Sequence, residues 1–380
     1  MSSHTTPVVA AAYRTPQGKE DGVFADMRSE DLSIPLIDEI LAETGLSGEQ
    51  IDDLMWGCAQ QRSEQGNNMA RVIALLSELG ESVPATTINR WCASSMQAII
   101  SASDSIRAGQ REAIIAGGVE SMTRVPMGEN TYEVHPGMND VYNVAELQMG
   151  MTAEAVAEEY DVSREDQDRY ALQSHERAAE ATDSGRFDDQ IVPIETEDGL
   201  VEEDEGIRRD TDFETLQSLP SVFISDGTVT PGNASQISDG AAATLITSEA
   251  FADEHDLDVL AYVGDNNVAG VDPRVMGIGP VPAVEGLLER TGESIEEFDV
   301  VELNEAFASQ TLYCQRELGV PDEKYNVNGG AIALGHPLGA SGARLPVNVI
   351  HELNLRDAEK GLATLCVGFG QGAAITFTRG

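Results

Sequence analysis

Residues 86–105 read TTINRWCASSMQAIISASDS, and in this stretch a short strand-like run leads into a helix through a single cysteine. The run 86–88 is β-branched, and the small residues after Cys92 begin a helix predicted over 94–108. Short apolar runs alternate with helical segments through most of the chain, beginning with a buried strand at 8–12. This alternation is typical of layered α/β proteins.

The same arrangement recurs near the end of the chain, where GHPLGASG at 335–342 also precedes a predicted helix. A second pair of segments keeps the same order, because AGGVES at 116–121 is echoed by CVGFGQG at 366–372. The letters agree weakly, but the order is preserved. We therefore predict a duplicated α/β half.

The middle of the chain, from about 121 to 235, differs in composition from the two flanking parts. It is rich in Met, Gly, Asn and acidic residues, and its apolar runs are short. One long helix is predicted over 164–182, and the strand–helix alternation resumes at 241–246. We interpret this middle segment as a large insertion or lid rather than as a separate core.

The composition is strongly acidic. The 380 residues include 66 Asp and Glu against 23 Lys and Arg, which gives a formal net charge of -43, and only three of the basic residues are lysines. Such a surface repels nucleic acids and anionic membranes, so we expect neither as a partner. The acids are spread along the chain, which favours adaptation to very high salt, as in a halophile, over the docking of a basic partner.

Compartment and metal content follow from simple patterns. The chain shows neither a basic segment followed by an apolar stretch near its start nor a run of about 20 apolar residues, so we expect no signal peptide and no membrane span. Its four cysteines, Cys58, Cys92, Cys314 and Cys366, lack the paired spacing of metal sites. We therefore expect free thiols in a reducing cytoplasm and no bound metal.

Two residues are candidates for the chemistry because of their local settings. Cys92 opens a helix, where the positive end of the dipole favours the thiolate and hence a nucleophile over a small core residue. His336 lies in the Gly-rich segment 328–339, in which Pro337 fixes the turn. This indicates a constrained active-site loop, whereas the other five histidines have the settings of ordinary hydrogen-bonded side chains.

Two further candidates lie at strand ends. Cys366 precedes Gly368, Gly370 and Gly372. The spacing to the third glycine is not that of a dinucleotide-binding loop, and too little chain follows for the phosphate-binding helix of such a loop. A thiol at that position suits an acid/base role. Asn304 lies at a predicted strand-to-helix turn, where it either caps the helix or positions a water or an oxyanion, and spacing leaves both alternatives open.

Seven segments resemble thiolase motifs, and they occur in thiolase order along the whole chain: 89–98, 117–122, 227–235, 277–283, 304–308, 329–344 and 366–372. The chain is therefore similar to acetyl-CoA C-acetyltransferases and 3-ketoacyl-CoA thiolases. The resemblance implies an α/β thiolase fold of duplicated halves in a five-layered αβαβα arrangement with a loop-domain insertion. It divides the chain into an N-terminal half (1–120 with 239–259), a loop domain (121–238) and a C-terminal half (260–380).

The resemblance also implies the reaction, which is the reversible condensation and thiolytic cleavage of 3-ketoacyl-CoA with acetyl-CoA and CoA as substrates and no other cofactor. Cys92 would carry the acyl group and Cys366 would act as acid and base. His336 would activate Cys92 and, with a water held by Asn304, stabilise the enolate. The backbone N–H groups of Cys92 and Gly368 would form the second oxyanion site.

The same resemblance points to residues that contact CoA. Arg208 matches the arginine of the loop domain that meets the nucleotide, and Ser235 matches the serine beside the pantetheine arm. Arg208 and Arg209 could instead be an ordinary surface ion-pair site, and that alternative stays open. Relatives form homodimers or homotetramers, so we expect one of these assemblies. Gln148 stands where many biosynthetic relatives have a histidine, so the sequence does not fix the acyl-chain length.

Three other classes of protein fit less well. A ketoacyl synthase shares the fold and the nucleophile, but it needs a second histidine where Asn304 stands and leaves Cys366 without a role. A hydroxymethylglutaryl-CoA synthase uses a glutamate as its acid/base. A non-catalytic CoA-binding or scaffolding subunit would be expected to have lost a catalytic residue, and all four are present.

The salt-adaptation hypothesis predicts that the protein loses structure when salt is removed, because its acidic surface then repels itself. Circular dichroism and thermal unfolding from molar salt down to about 0.1 M, where screening reaches about 10 Å, check this prediction. Full stability at the low-salt end would contradict it.

Overall fold

The computed structural model describes residues 2–128 and 134–380. Within them the strands β1 to β12 are Pro7–Arg14, Gly18–Lys19, Asp53–Gly57, Ala85–Ile88, Ala113–Ser121, Ile194–Thr196, Gly199–Val201, Ser238–Ser248, Ala261–Gly270, Val300–Leu303, Lys360–Val367 and Gln371–Arg379. The helices α1 to α11 are Ser29–Thr44, Met69–Leu76, Ser94–Arg107, Met149–Glu159, Arg164–Asp183, Phe213–Ser218, Glu249–Glu254, Pro280–Thr291, Ala308–Leu318, Ala331–Leu334 and Leu338–Arg356. None of these helices has the length and apolar character needed to cross a membrane.

Ten strands form one mixed sheet in the order β10-β11-β12-β9-β1-β8-β5-β3-β4, with β2 beside β8. The pairs β3–β4, β3–β5 and β10–β11 are parallel, and the other pairs are antiparallel. The contact between β1 and β9 is short, since it consists of Val8 opposite Tyr262 and Val9 opposite Ala261. This short contact divides the sheet into two halves.

Three apolar clusters define the layers. The largest contains Met96 of α3 and Val347 of α11 together with residues from both halves of the sheet, so α3 and α11 lie between the halves. A second cluster packs α1 and α2 on the outer face of the N-terminal half, and a third packs α8 and α9 on the outer face of the C-terminal half. The predicted five-layered αβαβα arrangement is confirmed.

The duplication is visible in the order of elements. The N-terminal half runs β1, β3, β4, α3, β5 and β8, and the C-terminal half runs β9, β10, α11, β11 and β12. A single parallel bridge between Val301 and Tyr325 takes the place of β4 in the second half. As predicted, the Cys92 segment and its counterpart at 335–342 precede the two central helices, α3 and α11. The second pair of segments, 116–121 and 366–372, lies at the ends of the corresponding strands β5 and β11. The exact domain boundaries stay a prediction.

The middle segment contributes helices and one small antiparallel pair, β6 and β7. Its long helix, predicted over 164–182, is α5, and the side chain of Ser163 caps it by accepting a hydrogen bond from the Asp166 N–H. The segment is tied to β1 by a buried ion pair, because Arg14 Nη1 lies 2.7 Å from Asp204 Oδ1. One acid of the acidic run 202–205 is therefore structural rather than solvated.

Close backbone approach brings the two central helices together. A Cβ added at Gly342 of α11 would lie 2.5 Å from the backbone nitrogen of Met96 in α3. One added at Gly118 of β5 would lie 2.4 Å from the carbonyl oxygen of Gly339. Only glycine permits these distances. As a result, the N-terminal ends of α3 and α11 meet in the centre of the molecule.

Gly342→Ala should destabilise the protein by about 1–3 kcal/mol, because the new methyl group must push α11 away from α3. Denaturant unfolding at fixed molar salt measures the change in the free energy of unfolding. Gly270→Ala is the matched control, since its Cβ would lie 4.0 Å from the nearest atom, the carbonyl oxygen of Gly370. Equal losses in the two variants would count against the close-approach argument.

Candidate active site

Cys92 lies in a tight turn between β4 and α3. Trp91 has φ 48°, in the left-handed region, and Asn89 Oδ1 accepts a hydrogen bond from its N–H at 2.8 Å. The Arg90 N–H donates to Ser94 Oγ at 3.0 Å, which closes the turn on the first residue of the helix. The turn therefore holds the Cys92 sulfur at one buried position just ahead of α3, with 9% of the residue exposed.

The second cysteine lies next to it, although 274 positions of chain numbering separate the two. Cys366 is the penultimate residue of β11 and is 1% exposed. In the turn that follows, the backbone N–H of Gly368 hydrogen-bonds the Cys92 sulfur. Arg90 Nη1 donates to Gln371 Oε1 at 3.1 Å and so links the two turns. The structure thus brings Cys92, Cys366 and Gly368 together, as the sequence predicted.

Both thiols are protonated in the resting protein. Burial raises the pKa of Cys92 to about 11, and the hydrogen bond from the Gly368 N–H offsets only part of this rise. Burial, and then the charge of Cys92, raise the pKa of Cys366 still further. Burial therefore opposes the resting Cys92 thiolate that the helix terminus was expected to favour. A nucleophile at Cys92 would need a base.

His336 has the protonation state of such a base. Its Nδ1 lies 2.6 Å from Ser341 Oγ. The single proton of that hydroxyl is donated to the Pro337 carbonyl at 2.9 Å. A hydroxyl has one proton, so Nδ1 must carry the hydrogen and Nε2 must keep its lone pair. Burial, reinforced by the Arg344 cation, lowers the pKa of His336 to about 3. The imidazole is therefore neutral, and its Nε2 can accept a proton.

Asn304 lies beside this histidine rather than at a helix cap. Its Nδ2 is 3.3 Å from His336 Nε2. Its backbone N–H donates to the Thr364 carbonyl at 3.1 Å, on the same strand as Cys366. The next helix, α9, begins at Ala308, so the capping alternative is wrong. The amide and the imidazole instead present adjacent polar groups on the Cys366 side of the site.

The two arginines of the middle segment have different environments. Arg209 pairs with Asp183 at 2.5 Å and with Glu203 at 3.4 Å. Arg208 is exposed, and its backbone N–H donates to His175 Nδ1 at 3.1 Å. Its guanidinium makes no ion pair or hydrogen bond with any residue in 2–128 or 134–380. The surface ion-pair alternative therefore applies to Arg209, whereas Arg208 is available to a ligand.

Ser235 lies along the Asn304 turn. Its backbone N–H donates to the Ala306 carbonyl at 2.9 Å. The next residue, Gln236, accepts a hydrogen bond from the His336 N–H at 3.3 Å and donates from its side chain to the Gly206 carbonyl at 2.9 Å. This segment therefore connects the Asn304 turn, the histidine loop and the stretch of the insertion that carries Arg208.

Three residues that shape the site had no individual role in the sequence-based prediction. Ser341 fixes the histidine tautomer, and Arg344 Nη2 donates to Asn304 Oδ1 at 3.3 Å. The buried Glu120 carboxylate accepts from the backbone N–H groups of Ala59 at 2.9 Å and Gly339 at 2.8 Å, and so ties β5 to the start of α11. Ser341 and Arg344 lie inside the quoted segment 329–344, but spacing alone does not reveal their partners.

Two buried thiols, a neutral imidazole with an unprotonated Nε2 and a backbone N–H group at sulfur are the groups needed to carry an acyl group on cysteine. Within the described part of the chain, no group of three or more His, Cys, Asp or Glu residues is placed to hold a metal ion. Fold and site together define an α/β enzyme that transfers acyl groups through cysteine.

Comparison with known proteins identifies the family. Residues 7–250 match the family described as "Thiolase, N-terminal domain", and residues 257–379 match "Thiolase, C-terminal domain". The 3-ketoacyl-CoA thiolase of Erwinia tasmaniensis is 47% identical over 383 residues, which cover 98% of this chain and 99% of the relative. The chain belongs to the thiolase family, and it is an acyltransferase.

Solved structures agree with this assignment. Human mitochondrial 3-ketoacyl-CoA thiolase in complex with CoA superimposes with a TM-score of 0.92 at 38% identity, covering 100% of this chain and 99% of that one. The acetyl-CoA acetyltransferase of Bacillus anthracis gives a TM-score of 0.91 at 41% identity, covering 99% of each chain. The predicted thiolase fold and enzyme class are confirmed. The roles of individual site residues stay predictions.

His336→Asn should slow acyl transfer from acetyl-CoA to Cys92 by about 10²–10⁴-fold at neutral pH, because the base is lost. The remaining rate should rise about tenfold per pH unit toward the Cys92 pKa of about 11, since solvent must then make the thiolate. The wild-type rate should stay flat from neutral pH upward, because its imidazole is already neutral.

Rapid quenching followed by mass spectrometry of the acyl-enzyme measures these rates. His351→Asn is the matched control, because His351 lies elsewhere on α11 and its Nε2 contacts the Ala12 carbonyl at 2.8 Å. A pH-independent rate in His336→Asn would show that His336 is not the base.

Proposed function

We propose that this protein cleaves 3-ketoacyl-CoA with CoA, and catalyses the reverse condensation, through an acyl group carried on Cys92. The observation that carries the proposal is the buried pair of Cys92 and Cys366, placed so that charge on one raises the pKa of the other. The relatives named 3-ketoacyl-CoA thiolase and the human structure with CoA support the choice of substrate. A ketoacyl synthase would have no use for Cys366.

The first half of the reaction begins at the neutral imidazole. His336 Nε2 takes the thiol proton of Cys92, and the sulfur attacks the 3-keto carbon. The backbone N–H groups of Cys92 and Gly368 stabilise the tetrahedral oxyanion. The C2–C3 bond then breaks, and its electron pair passes to the thioester as an enolate held by His336 and a water at Asn304. The Cys366 thiol protonates C2, and acetyl-CoA leaves.

The second half restores both thiols. The Cys366 thiolate takes the proton of the CoA thiol, and the CoA sulfur attacks the acyl-Cys92 thioester. Cys92 leaves as a thiolate and regains its proton from the His336 imidazolium. Both cysteines end protonated, which is the state favoured by their raised pKa values. The cycle needs no metal and no cofactor besides the CoA substrates.

Binding of CoA by so acidic a protein requires a local cation for its phosphates. Arg208 is exposed and makes no side-chain ion pair within the described ranges, so we propose that it meets the nucleotide part of CoA. We place Ser235 beside the pantetheine arm, because its backbone is bonded to Ala306 in the Asn304 turn. The Gln148 side chain is exposed at the start of α4. This position does not determine which acyl-chain length the enzyme prefers.

We further propose that the protein works in the cytoplasm of a halophile as a homodimer or homotetramer, without nucleic-acid or membrane partners. The net charge of -43 with only three lysines supports adaptation to high salt. The oligomeric state follows from the family resemblance.

Removing each cysteine separates the two half-reactions. Cys92→Ala should abolish both acyl-enzyme formation and thiolysis, because no nucleophile remains. Cys366→Ala should still accept an acyl group on Cys92, but it should lose about 10²–10⁴-fold in thiolysis and in exchange of the acetyl-CoA α-protons with solvent. Thiolysis of 3-ketoacyl-CoAs of increasing length, in molar salt, measures the overall reaction, and proton NMR in D2O measures the exchange.

Cys314→Ala serves as the control for loss of a buried thiol, since Cys314 lies in α9 and its sulfur contacts the Gly277 carbonyl at 3.4 Å. It should keep both half-reactions. Undiminished thiolysis in Cys92→Ala would refute the acyl-cysteine mechanism, and normal α-proton exchange in Cys366→Ala would remove that residue from its role.

A further inference from the structure

A buried cation lies behind the asparagine of the site. Arg344 is on α11, three residues after Ser341 on the same helix face, and it is 0% exposed. Opposite it is Glu302 of β10, 1% exposed, whose strand directs Val300 and Glu302 toward the central layer. Neither residue has a role in the mechanism above, and a charge in such a place is costly unless it does something specific.

The guanidinium of Arg344 is committed mainly to one contact. Its Nη2 donates to Asn304 Oδ1 at 3.3 Å, whereas its Nε and Nη1 have no hydrogen-bond partner among the residues that the structure covers. Glu302 attracts it through space without forming a direct ion pair. The cation is therefore only partly neutralised. On the side of the active site it donates to Asn304, and its charge also acts on His336.

This contact decides which way the Asn304 amide faces. A guanidinium can only donate hydrogen bonds, so it must face the amide oxygen. The amide nitrogen is thereby turned to the other side, where it lies 3.3 Å from His336 Nε2. In the opposite orientation a carbonyl oxygen would point to the place where the enolate charge develops, and it would repel that charge.

We propose that Arg344 is a positioning residue of the enolate step, which fixes and polarises the Asn304 amide so that its N–H groups hold the water that stabilises the thioester enolate. The inference rests on the proposed function. In the enolate step, the proton moves between Cys366 and C2, and the electron pair of that C–H bond resides on the thioester oxygen. The Arg344 cation, which lies behind the Asn304 amide, lowers the energy of that oxyanion strongly, because little water screens the charge.

The other oxyanion site, which serves acyl transfer, does not depend on the contact between Arg344 and Asn304. Acyl transfer to Cys92 uses the backbone N–H groups of Cys92 and Gly368, and no described contact joins these to Arg344. Arg344 also lowers the pKa of His336, so its loss makes that imidazole more basic and does not weaken the activation of Cys92. Loss of Arg344 should therefore slow the enolate step without slowing acylation. A residue that merely supports the fold would affect both.

The experiment compares Arg344→Met and Arg344→Lys with the wild-type enzyme in molar salt. Arg344→Met should lower both the exchange of acetyl-CoA α-protons and the kcat of thiolysis by about 10²–10³-fold, the usual cost of losing one oxyanion-hole donor. Acylation of Cys92 by acetyl-CoA should fall by less than about threefold, since its oxyanion site is separate. Arg344→Lys keeps the charge but not the planar fork, so it should recover part of the exchange rate.

Arg186→Met is the matched control, because Arg186 contacts the same helix at Glu352, far along α11, and that carboxylate keeps Arg356 and Asn328 as partners. It should leave both half-reactions unchanged. If Arg344→Met does not fold, Arg344→Lys carries the test, with exchange reduced at least about tenfold and acylation retained.

Exchange and acylation falling in parallel, or exchange unaffected in every folded Arg344 variant, would overturn the inference while leaving the proposed function intact. A wild-type enzyme that performs neither thiolysis nor α-proton exchange would instead refute the proposed function, and the inference with it.

Discussion

The packing of α3 against α11 between the two halves of the sheet is the constraint on which the rest of the molecule depends. Each helix is the central element of one duplicated half, and each is preceded by a turn that carries a reactive group. Gly342 lets α11 approach the backbone of α3 closely, because it has no side chain. Their N-terminal ends therefore meet, and Cys92 and His336 share one buried site. The duplication thus supplies two similar turns that have taken different chemical roles.

Burial determines the chemical state of that site. Removal of water raises the pKa of both thiols and lowers that of the imidazole, so all three groups are neutral at rest. This state suits the proposed thiolysis, in which a base takes the proton of Cys92 and Cys366 gives up a proton. The same low dielectric strengthens the hydrogen bonds from backbone N–H groups and from Asn304 to any oxyanion. One physical cause therefore sets both the resting protonation and the catalytic stabilisation.

The acidic surface and the active site are electrostatically distinct. The ionisable groups buried around the site include Glu120, Glu302, Glu305 and Arg344. Burial raises the pKa of each of the three carboxyl groups. Outside, the arginines are largely paired with acids, which makes the unpaired guanidinium of Arg208 unusual in the described chain. Salt therefore affects the acidic surface far more than the site, because screening by salt acts on exposed charges far more than on buried ones.

The sequence by itself determined the α/β class and the repeated order of its elements, and it singled out Cys92, Asn304, His336 and Cys366 as candidates, because each is written in a local pattern or an ordered motif. It placed the long helix of the insertion to within a residue of its observed bounds. Only the tertiary structure decided the resting state of the thiols, the histidine tautomer, the role of Asn304 outside helix capping, and its contact with Arg344. These depend on which groups lose water together and on distances between residues far apart in the chain. Local periodicity carries no information about either.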